Sequence, residues 1–411
     1  MINSQAGQQP ADFTDVRMTN LAVVLRFVRA NAPCSRADIA ASTGLNKATV
    51  SSLIAELIDR RLVRETGLTE HRIGRPATML VPDGAAYAAI GLEVNTDHLA
   101  AVAIDLAGVR LLSWRRAFAG RRVPAAKAVA AVAALARRAV AKVVADDREV
   151  LGLTIGVAGL VDASGVVRRA PNLGWQDVPL RESLIKALGA PDYPVTIEND
   201  ANLAAQAEHR YGTYAGTGNL VYLDGHAGLG AGIIADGRLL RGSLGFSGEL
   251  GHVQVVPDGP PCSCGRSGCL EAVAGMSGVI RSLTGREPSD LEPEVEDLLR
   301  RARAQEPAVV ETLRTIGGYL GYGVSILANL VNPEVAILGG YYVPLAPWLL
   351  PAAEERLREC TAAPDAGGCR IAVSSLGHAA AATGGAASIL ETVDAGALPT
   401  PGRVRTELAP L

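Results

Sequence analysis

Between Gly248 and Ala272 the chain reads GELGHVQVVPDGPPCSCGRSGCLEA, which puts His252, Cys262, Cys264 and Cys269 close together and brackets them with Glu249 and Glu271. Three thiols and an imidazole are the donor set of a tetrahedral structural zinc, whereas a hard cation would ask for oxygens. The Cys-x-Cys pair and the turn residues Gly265 and Gly268 let thiolates converge from one loop, and Pro-Asp-Gly-Pro-Pro brings the chain back from His252. With four protein ligands no position is left for a metal-bound water, so the expected ion is structural. The bland alternative is four buried residues without a ligand.

The rest of the composition fits a reduced compartment. The chain has 411 residues and six cysteines, half of them in this loop, while Cys34, Cys360 and Cys369 stand apart. That usage speaks against a disulfide framework. The N-terminus is polar, and the alanine-rich run at 125–145 is broken by Lys127, Arg137, Arg138 and Lys142, so neither a signal peptide nor a membrane span is expected. A cytoplasmic protein follows. The formal net charge of -3 hides an asymmetry: residues 1–80 hold ten Lys and Arg against seven Asp and Glu, so the remainder carries the acid excess. A basic N-terminal module on an acidic body suits contact of the first part with a polyanion.

That first part, 1–82, reads as a winged helix-turn-helix. In SRADIAASTGLNKATVSSLIAELIDRRLV, residues 35–63, Ser35 is an N-cap and Gly44 supplies the positive φ that ends one helix and turns the chain. Val50, Leu53, Ile54, Leu57 and Ile58 form the apolar face of the next helix. Its other face opens with Asn46, Lys47, Ala48, Thr49, Ser51 and Ser52, short or polar side chains able to reach base edges and phosphates in a major groove. The alternating segment 62–83 is expected as a two-stranded wing with Arg72 and Arg75 at its tip. With Ser35 and Arg36, these residues make up the expected DNA contacts. A three-helix protein-binding domain would share the apolar pattern but would favour large apolar side chains on the exposed face.

From about Ala86 the pattern changes to strands followed by crossover helices, twice over, an α/β chain of two lobes with ligands expected where strand ends meet. Three strands run through 88–120, a helix covers about 124–145, and strands follow at LGLTIGVAGLVD and at YPVTIEND, ending at Asp200. A helix to about Tyr211 leads to strands in NLVYLDGHAGLGAGII, further helices, the strand VAILGG and a closing helix after Ala379. The lobes are expected at about 86–200 plus the C-terminal helix and at about 201–378, with 394–411 as a loose tail.

At this level the sequence resembles the ROK family of bacterial sugar kinases and sugar-responsive repressors. GELGH and CSCGRSGCLE carry the resemblance, supported by GVAGLVD at 156–162, APNLGW at 170–175, ENDAN at 198–202 and GLGAGIIADGRLLRG at 228–242. It covers about 86–393 and implies an actin-like, ribonuclease-H-like fold. The added winged helix-turn-helix is the arrangement of the family's regulators. It also implies that the zinc loop holds carboxylates against a sugar, with Asn199, Asp200, Glu249, His252 and Glu271 bonding its hydroxyls and Gly156 and Asn172 in loops that close the pocket. Homodimers or homotetramers are implied as well.

The family's kinases need a general base, for which Asp200 qualifies, and loops that cradle ATP phosphates. Here Glu93-Val-Asn95-Thr-Asp97 replaces a pattern like Asp-x-Gly-x-Thr, and Ala227 precedes Gly228 where the kinases usually carry threonine. Both departures fall on the nucleotide side, and the first sets a carboxylate against phosphate. The sequence therefore points to a sugar-responsive regulator, a repressor released from operator DNA by a sugar or sugar derivative, and not to an enzyme. An active kinase carrying a DNA-binding domain and a protein-binding adaptor with a vestigial pocket are the alternatives.

Overall fold

The structure is a computed structural model and describes residues 13–68, 78–365 and 368–399. The expected wing-tip arginines, Arg72 and Arg75, lie outside the described residues. It opens with a helix α1 (Phe13–Asn31), then β1 (Cys34–Ser35), α2 (Arg36–Thr43), α3 (Lys47–Asp59) and a hairpin of β2 (Val63–Leu68) with β3 (Thr78–Pro82). Gly44 closes α2 at φ 73°, a left-handed conformation open to a residue without Cβ. Val50, Leu53, Ile54 and Leu57 of α3 are buried, as the helical spacing requires.

The sequence reading omitted α1. Its apolar face, Leu21, Val24, Leu25 and Val28, is fully buried against α3 and the hairpin. The i, i+3, i+4, i+7 spacing of those four residues was the available signal.

The first lobe contains β4 (Tyr87–Val94), β5 (His98–Asp105), β6 (Arg110–Ala117), α4 (Ala125–Ala145), β7 (Glu149–Val157), β8 (Leu160–Val161), β9 (Val167–Ala170), β10 (Trp175–Val178), α5 (Leu180–Ala187) and β11 (Val195–Asn199). α6 (Asp200–Tyr211) leads to the second, with β12 (Leu220–Gly225), β13 (Leu229–Ala235), β14 (Arg238–Leu239), α7 (Leu270–Ala274), α8 (Met276–Thr284), α9 (Leu291–Arg303), α10 (Pro307–Val331), β15 (Val335–Gly340), α11 (Tyr342–Cys360) and β16 (Arg370–Val373). α12 (Ala380–Asp394) closes the chain.

Two five-stranded sheets have the orders β11-β7-β4-β5-β6 and β14-β13-β12-β15-β16. Each is an antiparallel three-strand meander extended by two parallel strands beside its first strand. The two lobes thus repeat one topology, which makes the β4–β5 and β12–β13 hairpins equivalent and lets their tips meet in the cleft. A small sheet β10-β9-β8, absent from the sequence reading, carries the APNLGW segment to the cleft edge.

α12 packs against β4, β7 and α6, so it belongs with the first lobe. Its Ala386, Ile389, Leu390 and Val393 share one apolar core with Leu21, Leu25 and Val28 of α1. The N-terminal unit is therefore docked on the lobe by a continuous core. The expected loose tail begins differently from that reading: Leu398 packs against this core and the Pro399 carbonyl accepts a bond from Arg60 at 3.1 Å, while 400–411 lie outside the described residues. Among the described residues no helix is long and apolar enough to cross a membrane.

Candidate functional site

A short 3-10 turn, Leu250–His252, sets His252 beside a loop whose own backbone bonds curl it. The Cys262 N–H donates to Arg266 O at 2.8 Å and the Gly265 N–H to Cys262 O at 3.0 Å, while Gln254 bridges to Cys269 across the loop. The result brings His252, Cys262, Cys264 and Cys269 together with their donor atoms all within 4.8 Å of one another. Cys262 Sγ is 3.6 Å from His252 Nδ1, and Cys264 Sγ is 3.7 Å from Cys269 Sγ. Zinc–sulfur bonds of about 2.3 Å give a tetrahedron with edges of about 3.8 Å, so the donor set and its spacing fit a closed zinc site. All four residues assigned as ligands from sequence are in this cluster.

The same loop faces the cleft between the lobes. Asn172, Asn199, Asp200, Glu249, His252 and Glu271 line it together. Glu271, from α7, takes the Ser263 hydroxyl at 2.7 Å on one oxygen and the Leu229 N–H at 3.2 Å on the other. It is held between the cysteine loop and the β12–β13 hairpin. His252 turns Nδ1 to the thiols and Nε2 to Glu249, 3.8 Å away, so one ring faces both the cysteine loop and the cleft. Burial, and then the charge of Glu271, push the Glu249 carboxyl up to about 7.

Asp200 starts α6 and is buried. Desolvation, then the neighbouring carboxylates of Asp224 and Glu93, raise its carboxyl well above the usual range. Asn199 is largely committed to the fold, because its side chain accepts from Asn202 N at 3.0 Å as the N-cap of α6 and donates to Gly159 O at 3.1 Å. Gly156 departs from the sequence reading. It lies in buried β7 beneath α6, where an added Cβ would come within 3.4 Å of Asp200 Cα, so it lets α6 approach and leaves the cleft wall to Ala158 and Gly159. No lysine or arginine lines the cleft among the described residues.

Deeper in the cleft, the β4–β5 turn is occupied by its own side chains. Asn95 Oδ1 accepts the Thr96 N–H at 2.8 Å and Asn95 Nδ2 donates to Glu93 at 3.0 Å. Asp97 accepts from the Tyr341 hydroxyl and sits 2.7 Å from His98 Nδ1. His98, His226 and His378 cluster here with ring centroids 5.6 to 6.4 Å apart. The sequence reading missed all three, since they are 128 and 152 positions apart and only the repeated topology unites them.

On the N-terminal unit, Asn46, Lys47, Ala48, Ser51 and Ser52 are exposed along the start of α3, and Thr49 is half-buried. Asn46 also caps α3, accepting from Thr49 N at 2.8 Å. Arg36 pairs with Glu65 of the wing at 2.7 Å. Ser35 differs from the expectation of a DNA contact: it is buried, and its hydroxyl and N–H complete a capping box with Asp38. The Ser-x-x-Asp spacing was the signal for that role.

Comparison with known proteins agrees with this geometry. The ROK family matches residues 89–392 and the MarR family matches 22–72. The xylose repressor of Bacillus subtilis (strain 168) is 29% identical over 381 residues, spanning 93% of this chain and 97% of that protein. A crystallised ROK family transcriptional regulator, a homologue of the Escherichia coli Mlc protein, superposes with a TM-score of 0.78 at 29% identity, covering 93% of this chain and 98% of the other. A ROK family glucokinase from Streptomyces griseus, solved with glucose and AMPPNP, gives 0.62 at 28% identity over 73% of this chain and 98% of its own.

Proposed function

The chain belongs to the ROK family, and from that premise we propose that it is a sugar-responsive transcriptional repressor, bound to operator DNA through its winged helix-turn-helix and released when a sugar occupies the cleft. The observation that carries the reading is the pairing of an exposed, short-chained α3 face with a carboxylate-lined cleft in one chain. Lys47, Asn46, Ala48, Thr49, Ser51 and Ser52 are the proposed contacts to DNA, with Arg36 beside them and Arg72 and Arg75 on the wing. Asp200, Glu249, His252 and Glu271 are the proposed partners of sugar hydroxyls, assisted by Asn172 and the remaining N–H of Asn199. Paired hydroxyls suit carboxylates, which accept from two donors at once.

Four carboxylates, Asp200, Asp224, Glu249 and Glu271, outnumber the two imidazoles of the lining, His226 and His252, and no lysine or arginine joins them among the described residues, which favours an uncharged sugar over a sugar phosphate. The Bacillus relative is a xylose repressor, so xylose and other neutral monosaccharides head the panel to be tried. Zinc in the Cys3His loop would be structural, closing the loop that carries His252 to the cleft and abuts Glu271. The chain would do no phosphoryl transfer, because the Asn95 side chain takes up the Thr96 N–H that could otherwise face a phosphate and Asp97 adds a negative charge there. We place the protein in the cytoplasm, as a homodimer or homotetramer on a palindromic site.

The test is operator-binding anisotropy with DNA from the protein's own upstream region, at fixed salt, against neutral sugars and their phosphates. Tight binding reversed by one neutral sugar is expected. Binding insensitive to every sugar, together with ATP-dependent consumption of one of them, would replace this reading with the kinase.

A further inference from the structure

The floor of the cleft holds a second cluster with the composition of a metal site, built from both lobes. Glu93 ends β4, His98 begins β5, and His226 lies in the equivalent hairpin of the other lobe, between β12 and β13. All three are buried, at 2%, 0% and 9% exposure, and offer one donor atom each within 4.8 Å of the others. Their polar atoms are poorly used by the protein. Glu93 Oε2, His98 Nε2 and both ring nitrogens of His226 have no hydrogen-bond partner. His98 Nε2 is 3.4 Å from Glu93 Oε1 and His226 Nδ1 is 3.1 Å from Asp224 Oδ1, but neither contact has hydrogen-bond alignment. Leaving such atoms buried and unpaired costs roughly 1–3 kcal/mol each, and each of the three residues carries at least one beside a cluster of donor atoms within 4.8 Å.

The surroundings orient the rings as metal-ligand shells do. His98 Nδ1 lies 2.7 Å from Asp97 Oδ1, and the other Asp97 oxygen accepts from Tyr341, which holds the ring with Nε2 turned to Glu93. Asp224 lies 3.1 Å from His226 Nδ1 on the other side, without hydrogen-bond alignment. Bonds of about 2.1 Å to nitrogen and oxygen give tetrahedral edges of about 3.4 Å, the separation already present between His98 Nε2 and Glu93. The donor atom of His226 lies within 4.8 Å of both. The third ring, His378, approaches within 6.1 Å of His226 and buries an unpartnered Nδ1 on that side.

We propose that Glu93, His98 and His226 form a second metal site, distinct from the cysteine loop, that takes a divalent first-row transition ion such as Zn2+ and joins the two lobes where the family's kinases bind nucleotide. Two imidazoles and a carboxylate suit such ions better than Mg2+ or Ca2+, which call for oxygens. Because Glu93 and His98 come from one sheet and His226 from the other, the ion ties the two hairpins together beside Asp200. The competing arrangement is an ion-pair network of imidazolium rings and the carboxylates of Glu93, Asp97 and Asp224, which binds no metal.

The full-length protein, stripped with chelator, is titrated with Zn2+ against a chromophoric competitor. Wild type should take up two equivalents per chain, His226→Gln and Glu93→Gln one each, and Cys264→Ser one. Uptake of a single equivalent by wild type, or of two by both cleft variants, overturns the proposal. To keep the test independent of how the variants fold, the wild type is also titrated with Co2+. The first or second equivalent, but not both, should raise the near-ultraviolet thiolate-to-cobalt band, with the other adding only the weak visible bands of nitrogen and oxygen ligation. A titration that ends after one equivalent, with the thiolate band rising throughout, overturns the proposal without any variant.

Discussion

Replacing Arg29 with Met should uncouple operator binding from the sugar more than it damages either. Arg29 stands in the last turn of α1, with 9% of its side chain exposed, and ties that helix to the sugar-binding body at three points. Its Nε donates to Leu106 O at 3.1 Å, its Nη1 donates to Leu390 O at 3.2 Å, and the same group pairs with Asp394 at the end of α12. Breaking a buried ion pair costs about 3–5 kcal/mol when the partner is left alone. Asp394 is not left alone, since Arg210 donates to its other oxygen at 2.6 Å, so the lower end, about 3 kcal/mol, is the expected loss in the docking of α1. The apolar core of Leu21, Leu25 and Val28 against Leu390 and Val393 survives the change and keeps the unit attached. Operator affinity without sugar should stay near wild type, because the α3 face is untouched. The factor by which sugar weakens that affinity should fall, by up to the whole coupling of ~1–3 kcal/mol typical of allosteric proteins. Anisotropy with and without saturating sugar measures it, and thermal unfolding verifies the destabilisation. An unchanged sugar factor in a demonstrably destabilised variant would refute the route through Arg29.

Three further expectations are simpler. Lys47→Ala should weaken operator binding across sequences and reduce the slope of log affinity against log salt by about 0.9, the change expected when one phosphate is no longer neutralised by the protein. Glu249→Gln should weaken sugar binding about 10- to 100-fold, the worth of one charged hydrogen bond, with operator affinity unchanged in a calorimetric and anisotropy comparison. Glu56, held below its ordinary 4.5 because bonds from Arg17 and Arg60 outweigh its burial, adds stability that is present above that value and is lost as pH falls through its lower folded value. Glu56→Gln should therefore destabilise the N-terminal unit by ~0.5–1 kcal/mol at neutral pH, screened by partial exposure, and match wild type in acid unfolding once Glu56 is protonated.

Residues that act through local spacing were legible in the sequence. The Gly44 turn, the apolar face of α3, the Cys3His loop and the hairpins beginning with β4 and β12 each announce themselves within a few residues, because turns, helix faces and ligand loops are set by neighbours. α1 is equally local, since Leu21, Val24, Leu25 and Val28 mark its buried face without any tertiary information. Ser35 reads from sequence both as the N-cap of α2 and as a DNA contact; the cap is what the structure shows, and burial takes its hydroxyl away from the surface. Gly156 and the histidines are different in kind. What Gly156 permits depends on where α6 lies, and the meeting of His98, His226 and His378 depends on two sheets folding with the same strand order. No local pattern contains that information.

The fold also suggests why the pocket and the DNA unit can communicate over a distance that no single contact spans. Asp200 is the first residue of α6 and Arg210 lies in its last turn, so a rigid helix joins a cleft carboxyl to the Asp394 hub. α12 packs against that helix and carries Asp394 at its own end, where Arg29 of α1 meets it. A sugar hydroxyl bonded to Asp200 would act at the cleft end of that helix, on a carboxyl that burial, Asp224 and Glu93 hold well above the usual range. Arg29 and Arg210 hold one oxygen each of Asp394, so that carboxylate joins α1, α6 and α12 at one point. A sugar acts on the operator only to the extent that it binds one arrangement of these helices better than another.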